Sequence, residues 1–321
     1  MQLPWHNTSR VRFVVVGRVG MDLYADPPET RIDHAERYVA AVGGSAGNIA
    51  VALARQGIAA ELVTCVSNDA IGRFCLAELF RYGVDTRHVS LIDDGYRTSL
   101  AITETVKQDC QTVFYRNRPA DLALTEANIR DIDLSDVAAL VVTGTAFAAE
   151  PSRSAVNVAM RRARAAGAHV ILDIDYRSAS WATYEEAAQI CRDAALSADI
   201  VVGNDTEFGL LAGSQLLGTK FAEDLVKRGA LFTIYKQGAD GSITYTGETS
   251  FKTPIFPVAA LKPTGAGDGF MAGLLAGLAQ GEELKIAVRR GSATAALIVA
   301  GIGCAPASPD RATVMRLIES F

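Results

Sequence analysis

Asp268 is the residue around which a chemical reading of this chain assembles. It ends the loop Gly265-Ala266-Gly267-Asp268, which runs on through Gly269-Phe270 into the apolar stretch Met271–Leu278 and a stop at Gly281. Glycines ahead of a helix let successive backbone N–H groups converge on an anion, and the helix start adds partial positive charge. The loop is therefore built for phosphate or another oxyanion. A carboxylate inside an anion hole costs free energy unless it takes a proton from an attacking hydroxyl, which makes Asp268 the expected general base. The bland alternative is a glycine turn whose acid complements the helix dipole. Gly267-x-Gly269-x-x-Ala272 fits a dinucleotide fingerprint formally, but Asp268 would then face the pyrophosphate, and no acidic residue ends a strand about 20 residues on. Gly213-x-x-x-x-Gly218-Thr219-Lys220 approaches a Walker loop with Thr and Lys in the wrong order.

A second cluster, Gly43-Gly44-Ser45-Ala46-Gly47-Asn48, precedes a helical segment Ile49–Arg55 that Gly57 can close. Its glycines let a substrate approach the backbone, and Asn48 offers a donor and an acceptor to sugar hydroxyls. The same residues match the G-x-S-x-G elbow of serine hydrolases, which needs a histidine late in the chain. The histidines are His6, His34, His88 and His169, with none after that, so Ser45 reads better as a helix-start residue than as a nucleophile. Polar groups also gather where apolar runs end: Asp173-Ile174-Asp175-Tyr176-Arg177, Gly203-Asn204-Asp205-Thr206-Glu207, and Lys236-Gln237-Gly238-Ala239-Asp240-Gly241. Open α/β sheets bind ligands at such ends, although each cluster alone is as readily a capped turn. Asn204 and Glu207 suit a hydrated Mg²⁺ near phosphates. Arg116 and Arg177 are candidates to pair with a substrate carboxylate, against the commoner alternative of structural ion pairs.

The elements that must position these residues are short Val/Ile/Leu runs: Phe13–Val16, Leu62–Val66, Ala139–Val142, Val170–Leu172, Ile200–Val202 and Leu231–Tyr235. Continuous apolar runs indicate strands buried on both faces, hence a mainly parallel sheet between helices. Helix punctuation fits, with Pro151 opening Ser152–Ala166, Gly167 closing it, and Ser308-Pro309-Asp310 starting the last helix. Residues 23–42 and 94–118 break this rhythm. The second holds two alternating strands, Arg97–Val106 and Gln111–Arg116, around Lys107–Cys110. Both read as a small β-sheet lid on an α/β core made of 1–22, 43–93 and 119–321.

The 321 residues, 49% hydrophobic and 21% charged, exclude collagen, coiled coil and wholesale disorder. A net charge of -5 without a basic run excludes a nucleic-acid partner and still permits a small anionic substrate. Five scattered cysteines without a C-x-x-C pair suggest reduced thiols, not disulfides or zinc. Met1–Arg12 has no apolar leader core, and the longest apolar stretch, Ala293–Ile302, falls far short of the roughly 20 residues of a membrane span. A cytoplasmic location is expected.

Over nearly its whole length the chain resembles the ribokinase-type (PfkB) sugar kinases. The residues that carry the resemblance are Gly43-Gly44-Ser45-Ala46-Gly47-Asn48, Asn204-x-x-Glu207, Lys236-x-Gly238-x-x-Gly241 and Thr264-Gly265-Ala266-Gly267-Asp268. The resemblance implies a three-layer α/β/α sandwich with a β-sheet lid, and ATP-dependent phosphorylation of a sugar hydroxyl. It implies Asp268 as base, the 265–267 amides as anion hole, and Asn204 and Glu207 organising Mg²⁺ through water. Asp22, Gly43, Gly44 and Asn48 would bind substrate hydroxyls. Lys236, Gly238, Gly241 and, by a looser match, Ser292 would line the nucleotide site. Tyr115-Arg116 and Asp173-x-Asp175-x-Arg177 are similar to the keto-sugar-acid kinases of the family, so Tyr115, Arg116, Asp175 and Arg177 join the expected substrate site. A terminal hydroxyl of a keto-sugar acid is then the expected acceptor, with 2-keto-3-deoxygluconate or fructose as alternatives. Many members carry Asp-Thr where this chain has Lys262-Pro263. Lys262 could supply the positive charge there, which leaves a monovalent cation open. A homodimer through the lid is a further expectation.

Overall fold

The computed structural model describes residues 12–106, 108–262 and 264–321. Residues 1–11, Lys107 and Pro263 lie outside the described residues, and with them the expectation drawn from the first twelve residues.

Thirteen strands are described: β1 Arg12–Val16, β2 Gly20–Asp26, β3 Arg37–Gly43, β4 Ala60–Ser67, β5 Val89–Ile92, β6 Ser99–Thr103, β7 Thr112–Tyr115, β8 Val137–Thr143, β9 His169–Asp173, β10 Ile200–Asn204, β11 Phe232–Lys236, β12 Ser242–Thr246 and β13 Ser250–Thr253. Nine form one sheet in the order β13-β12-β11-β10-β9-β8-β1-β4-β5. All its neighbours run parallel except the antiparallel edge pairs β11/β12 and β12/β13.

The apolar runs explain the layering. Along β1, Phe13 and Val15 enter one core cluster, whereas Val14 and Val16 enter another. Both faces of the strand are buried because side chains alternate across it. The first cluster packs the helices Ser45–Arg55 and Ala266–Ala279 on one face; the second packs Ser152–Ala165 and Tyr184–Leu196 on the other. Each fully buried Val, Leu, Ile or Phe contributes about 1.5–3 kcal/mol. The expected three-layer sandwich is therefore what forms. β5 and the β12/β13 edge were not foreseen, since they are short and half exposed and carry no continuous apolar run.

Four strands form the separate lid sheet, ordered β3-β2-β6-β7. Its first strand begins at Gly20, three residues before the expected boundary, so Asp22 belongs to the lid strand itself. The two strands read from Arg97–Val106 and Gln111–Arg116 pair antiparallel as β6 and β7.

The strand order reverses at β1, which has β4 on one side and β8 on the other. A crevice opens at the carboxyl ends of strands wherever an open sheet switches direction. Gly17–Asp22 leave β1 there, and the other chemical clusters leave β9, β10 and β11 on the same side. Among the described residues no histidine hydrogen-bonds to Ser45. His88 pairs with Glu61 (3.4 Å), and His169 begins β9, at the end opposite Asp173.

Candidate active site

Gly265 is the N-cap of the helix Ala266–Ala279 and adopts φ 83, a left-handed backbone that glycine takes at little cost. A Cβ there would also stand 2.6 Å from Cys304 Sγ. The first intrahelical bond runs from the Gly269 N–H to the Gly265 carbonyl (3.0 Å), so the amides of Ala266, Gly267 and Asp268 precede it. These are the orphan donors of a helix start. Tight packing fixes the helix behind them. A Cβ on Gly273 or Gly277 would come within 3.0 Å of the helix Leu284–Val299, at Arg290 or Ala287, so the two helix backbones approach closely.

Asp268 lies in the first turn with part of its surface accessible. Asn48 Nδ2 donates to its Oδ2 at 2.7 Å, joining two sequence clusters 220 residues apart. Asn48 is 6% exposed, and its Oδ1 is buried without a partner among the described residues. Loss of water contact and then the charge of Asp175 push the Asp268 carboxyl up to about 6, against the opposing pull of Asn48, Arg177 and Arg18. A carboxylate of this strength still ionises at neutral pH and is a better base than an exposed one.

Asp22 packs on the bare Cα of Gly43, where no Cβ would fit. It accepts a hydrogen bond from Tyr24 Oη at 2.9 Å, and burial raises its pKa. Gly44 caps the helix Ser45–Arg55 at φ 86.

Asp173, at the end of β9, is 3% exposed. Burial, together with the charges of Glu207, Asp175 and Asp268, pushes its carboxyl up to about 8, with Lys236 opposing. Asp175 behaves oppositely: although equally buried, it is held below the ordinary range by Arg177 and Arg18 and by a hydrogen bond from Thr145 Oγ1 (3.1 Å). Arg177 reaches Asp175 at 3.0 Å and is otherwise largely exposed.

Asn204 and Glu207 form a reciprocal capping box on the helix Asp205–Ala212: Asn204 Oδ1 accepts from the Glu207 N–H (2.9 Å), and Glu207 Oε2 accepts from the Asn204 N–H (2.7 Å). Glu207 Oε1 also accepts from the Tyr176 N–H (3.2 Å). The charge of Lys236 acts on Glu207, and its Nζ lies 3.1 Å from where a Cβ on Gly267 would stand. Gly238 and Gly241 form the turn that follows Lys236, closed by the Gly241 N–H on the Gly238 carbonyl (3.3 Å). Among the described residues no group of three carboxylate, His or Cys donors converges as a metal cage. Asn204 and Glu207 place one amide and one carboxylate at the end of β10, and so few protein donors suit an ion that keeps most of its waters.

Three expected residues sit differently. Arg116 lines the pocket beside Asp22, but its guanidinium is committed to Asp121 through Nη1 (2.8 Å) and Nη2 (2.6 Å) and to Ser99 Oγ (2.8 Å). Tyr115 precedes it on β7 and points to the other face by strand alternation, so Phe114 lines the pocket instead. Ser292 is buried mid-helix in Leu284–Val299, with no hydrogen bond to the nucleotide-side residues among those described. Sequence reasoning also missed Arg18, which lines the pocket at the end of β1. The available signal was an arginine between Gly17 and Gly20 at a strand end.

A sheet that switches direction beneath a partly buried acid, a glycine-capped helix start and a separate β-sheet lid is an arrangement that suits phosphoryl transfer to small hydroxylated molecules. The chain belongs to the pfkB family of carbohydrate kinases, whose model matches residues 11–311. It is similar to a 5-dehydro-2-deoxygluconokinase of Photobacterium profundum, 36% identical over 312 residues that span 96% of this chain and 94% of that protein. One from Geobacillus thermodenitrificans is 35% identical over 323 residues, 99% and 96%. Among solved structures, a fructokinase of Vibrio cholerae with fructose, ADP and potassium superposes with a TM-score of 0.85 at 26% identity, covering 96% of this chain and 98% of that one. An aminoimidazole riboside kinase of Salmonella enterica with its riboside and an ATP analogue gives 0.81 at 25%, covering 96% and 99%. This chain is a sugar kinase, an enzyme that transfers a phosphoryl group to a small-molecule sugar.

Proposed function

We propose that the enzyme phosphorylates the terminal hydroxyl of a keto-sugar acid, 5-dehydro-2-deoxygluconate, with ATP as donor, as a cytoplasmic step of inositol catabolism. The observation that carries the catalytic assignment is the 2.7 Å bond from Asn48 to Asp268 beside the three leading amides of the helix. The acceptor hydroxyl fits between the unpartnered Asn48 Oδ1 and Asp268. Asp268 takes the hydroxyl proton as the oxygen attacks the γ-phosphorus, the bond to ADP breaks, and the amides at the helix start stabilise the transferred charge. Asp22, Gly43 and Gly44 hold the remaining hydroxyls, and Lys236, Gly238 and Gly241 face the nucleotide. Mg²⁺, held through water by Asn204 and Glu207, supplies charge neutralisation on the phosphates when bound. The names of the similar proteins support the substrate.

The lid also offers a self-association surface, since Tyr38, Val113 and Tyr115 are exposed on it.

The test is ADP release with 5-dehydro-2-deoxygluconate, 2-keto-3-deoxygluconate and fructose, with the phosphorylated carbon located by NMR. The first substrate should give the highest kcat/KM. A higher value for fructose would overturn the substrate assignment and leave the kinase intact.

A further inference from the structure

A sugar acid brings a carboxylate that needs a cation inside the pocket, and three arginines lie near enough to be considered. Arg116 is neutralised by its two-pronged pair with Asp121, and its remaining contact goes to Ser99. Arg177 is paired with Asp175 at 3.0 Å and is more than half exposed. Arg18 differs from both. It lines the pocket together with Asp22, Gly44 and Phe114, and among the described residues its guanidinium makes no hydrogen bond or ion pair. Its Nε is buried without a partner.

An unpaired buried donor on a charged group is costly, because the desolvation is not offset by any bond. The carboxylates that feel the charge of Arg18 are each served elsewhere: Asp22 by Tyr24, Asp175 by Arg177 and Thr145, Asp268 by Asn48. Arg18 is also held firmly in place. Its carbonyl accepts from the Gly47 N–H at 3.2 Å and lies 2.7 Å from where a Cβ on Gly44 would stand. The backbone of residue 18 is thus clamped against the turn that carries Asn48. A guanidinium that lines a pocket wall on an anchored backbone and lacks an acceptor matches the planar, two-oxygen geometry of a carboxylate.

We propose that Arg18 is the residue that receives the substrate carboxylate, pairing through Nε and a terminal nitrogen, and so sets the preference for a sugar acid over a neutral sugar. Arg116 instead braces β7 against Asp121, and Arg177 braces Asp175. The inference rests on the keto-sugar-acid reading above, and its test separates the two.

The experiment removes the charge from either side. Wild type, Arg18→Met and Arg177→Met are assayed with 5-dehydro-2-deoxygluconate and with its methyl ester, which has the same chain and no carboxylate. In wild type the ester should be poorer by about 10²–10³-fold in kcat/KM. Arg18→Met should lose a similar factor on the acid, mainly through KM, and only a few-fold on the ester. Arg18→Lys should recover part of the loss, and binding of an ATP analogue to Arg18→Met should match wild type, which shows that the fold is intact. Equal losses on acid and ester in Arg18→Met would overturn the assignment of Arg18, as would an acid-specific loss appearing in Arg177→Met alone. If wild type handles acid and ester equally, or prefers fructose to both, the sugar-acid reading itself fails.

Discussion

Asp268, the proposed base, shows how environment shifts an ordinary carboxyl. Burial and the neighbouring charge of Asp175 raise it to about 6, while Asn48, Arg177 and Arg18 keep it from rising further. The ionised form is the active one, so kcat/KM should be flat above this value and fall about tenfold per pH unit below it. Asp268→Asn preserves size and the capacity for hydrogen bonding but cannot accept the proton. Its turnover should drop by about 10²–10⁴-fold with ATP affinity nearly unchanged, as read by steady-state kinetics and direct nucleotide titration. Near-normal turnover would remove Asp268 from the chemical step.

At the scale of elements, the helix Ala266–Ala279 works because the loop before it is held in one shape. Lys262 is 7% exposed, and its Nζ donates to the Thr264 carbonyl at 2.7 Å and lies 3.5 Å from Cys304 Sγ. A fixed ammonium thus stands at the root of the loop that leads into this helix. The similar Vibrio cholerae fructokinase was solved with potassium. With its own cation built in, this enzyme should turn over at the same rate, within about twofold, in potassium and in choline chloride. Lys262→Met should lower kcat/KM by about 10²-fold, because the donors that meet the developing charge lose their alignment. Strong activation of the wild type by potassium would show that Lys262 does not fill this role.

For the molecule as a whole, the lid strands β2, β3, β6 and β7 form a sheet of their own against the crevice of the larger sheet. Its pocket-facing Phe114 is 57% exposed, a large apolar side chain in water. Phosphoryl transfer must exclude water as a competing acceptor, so substrate binding should draw the lid down. Hydrogen exchange in 20–43 and 99–115 should slow on saturation with the sugar acid, while the core strands β8–β11 stay unchanged. Unaltered exchange in both lid segments would make the sheet a fixed wall.

The sequence alone determined the features that depend on local pattern. Phe13–Val16 and its counterparts could only be strands covered on both sides, since a continuous apolar run has no face to give to water. Gly265–Asp268 announced a helix start, because glycine spacing is itself the local geometry. Tertiary structure decided the pairings. Asp121 lies only five residues beyond Arg116, but no local pattern said that it and Ser99 would absorb the charge of that arginine, and nothing near Asn48 said that its amide would meet Asp268, 220 residues away. Tyr115 and Phe114 are adjacent and both aromatic, and only the lid sheet's orientation chose which one faces the pocket. Arg18 stands out for the same reason: whether a charged side chain is free to bind a ligand depends on which partners the fold brings within reach of it, at whatever distance along the chain.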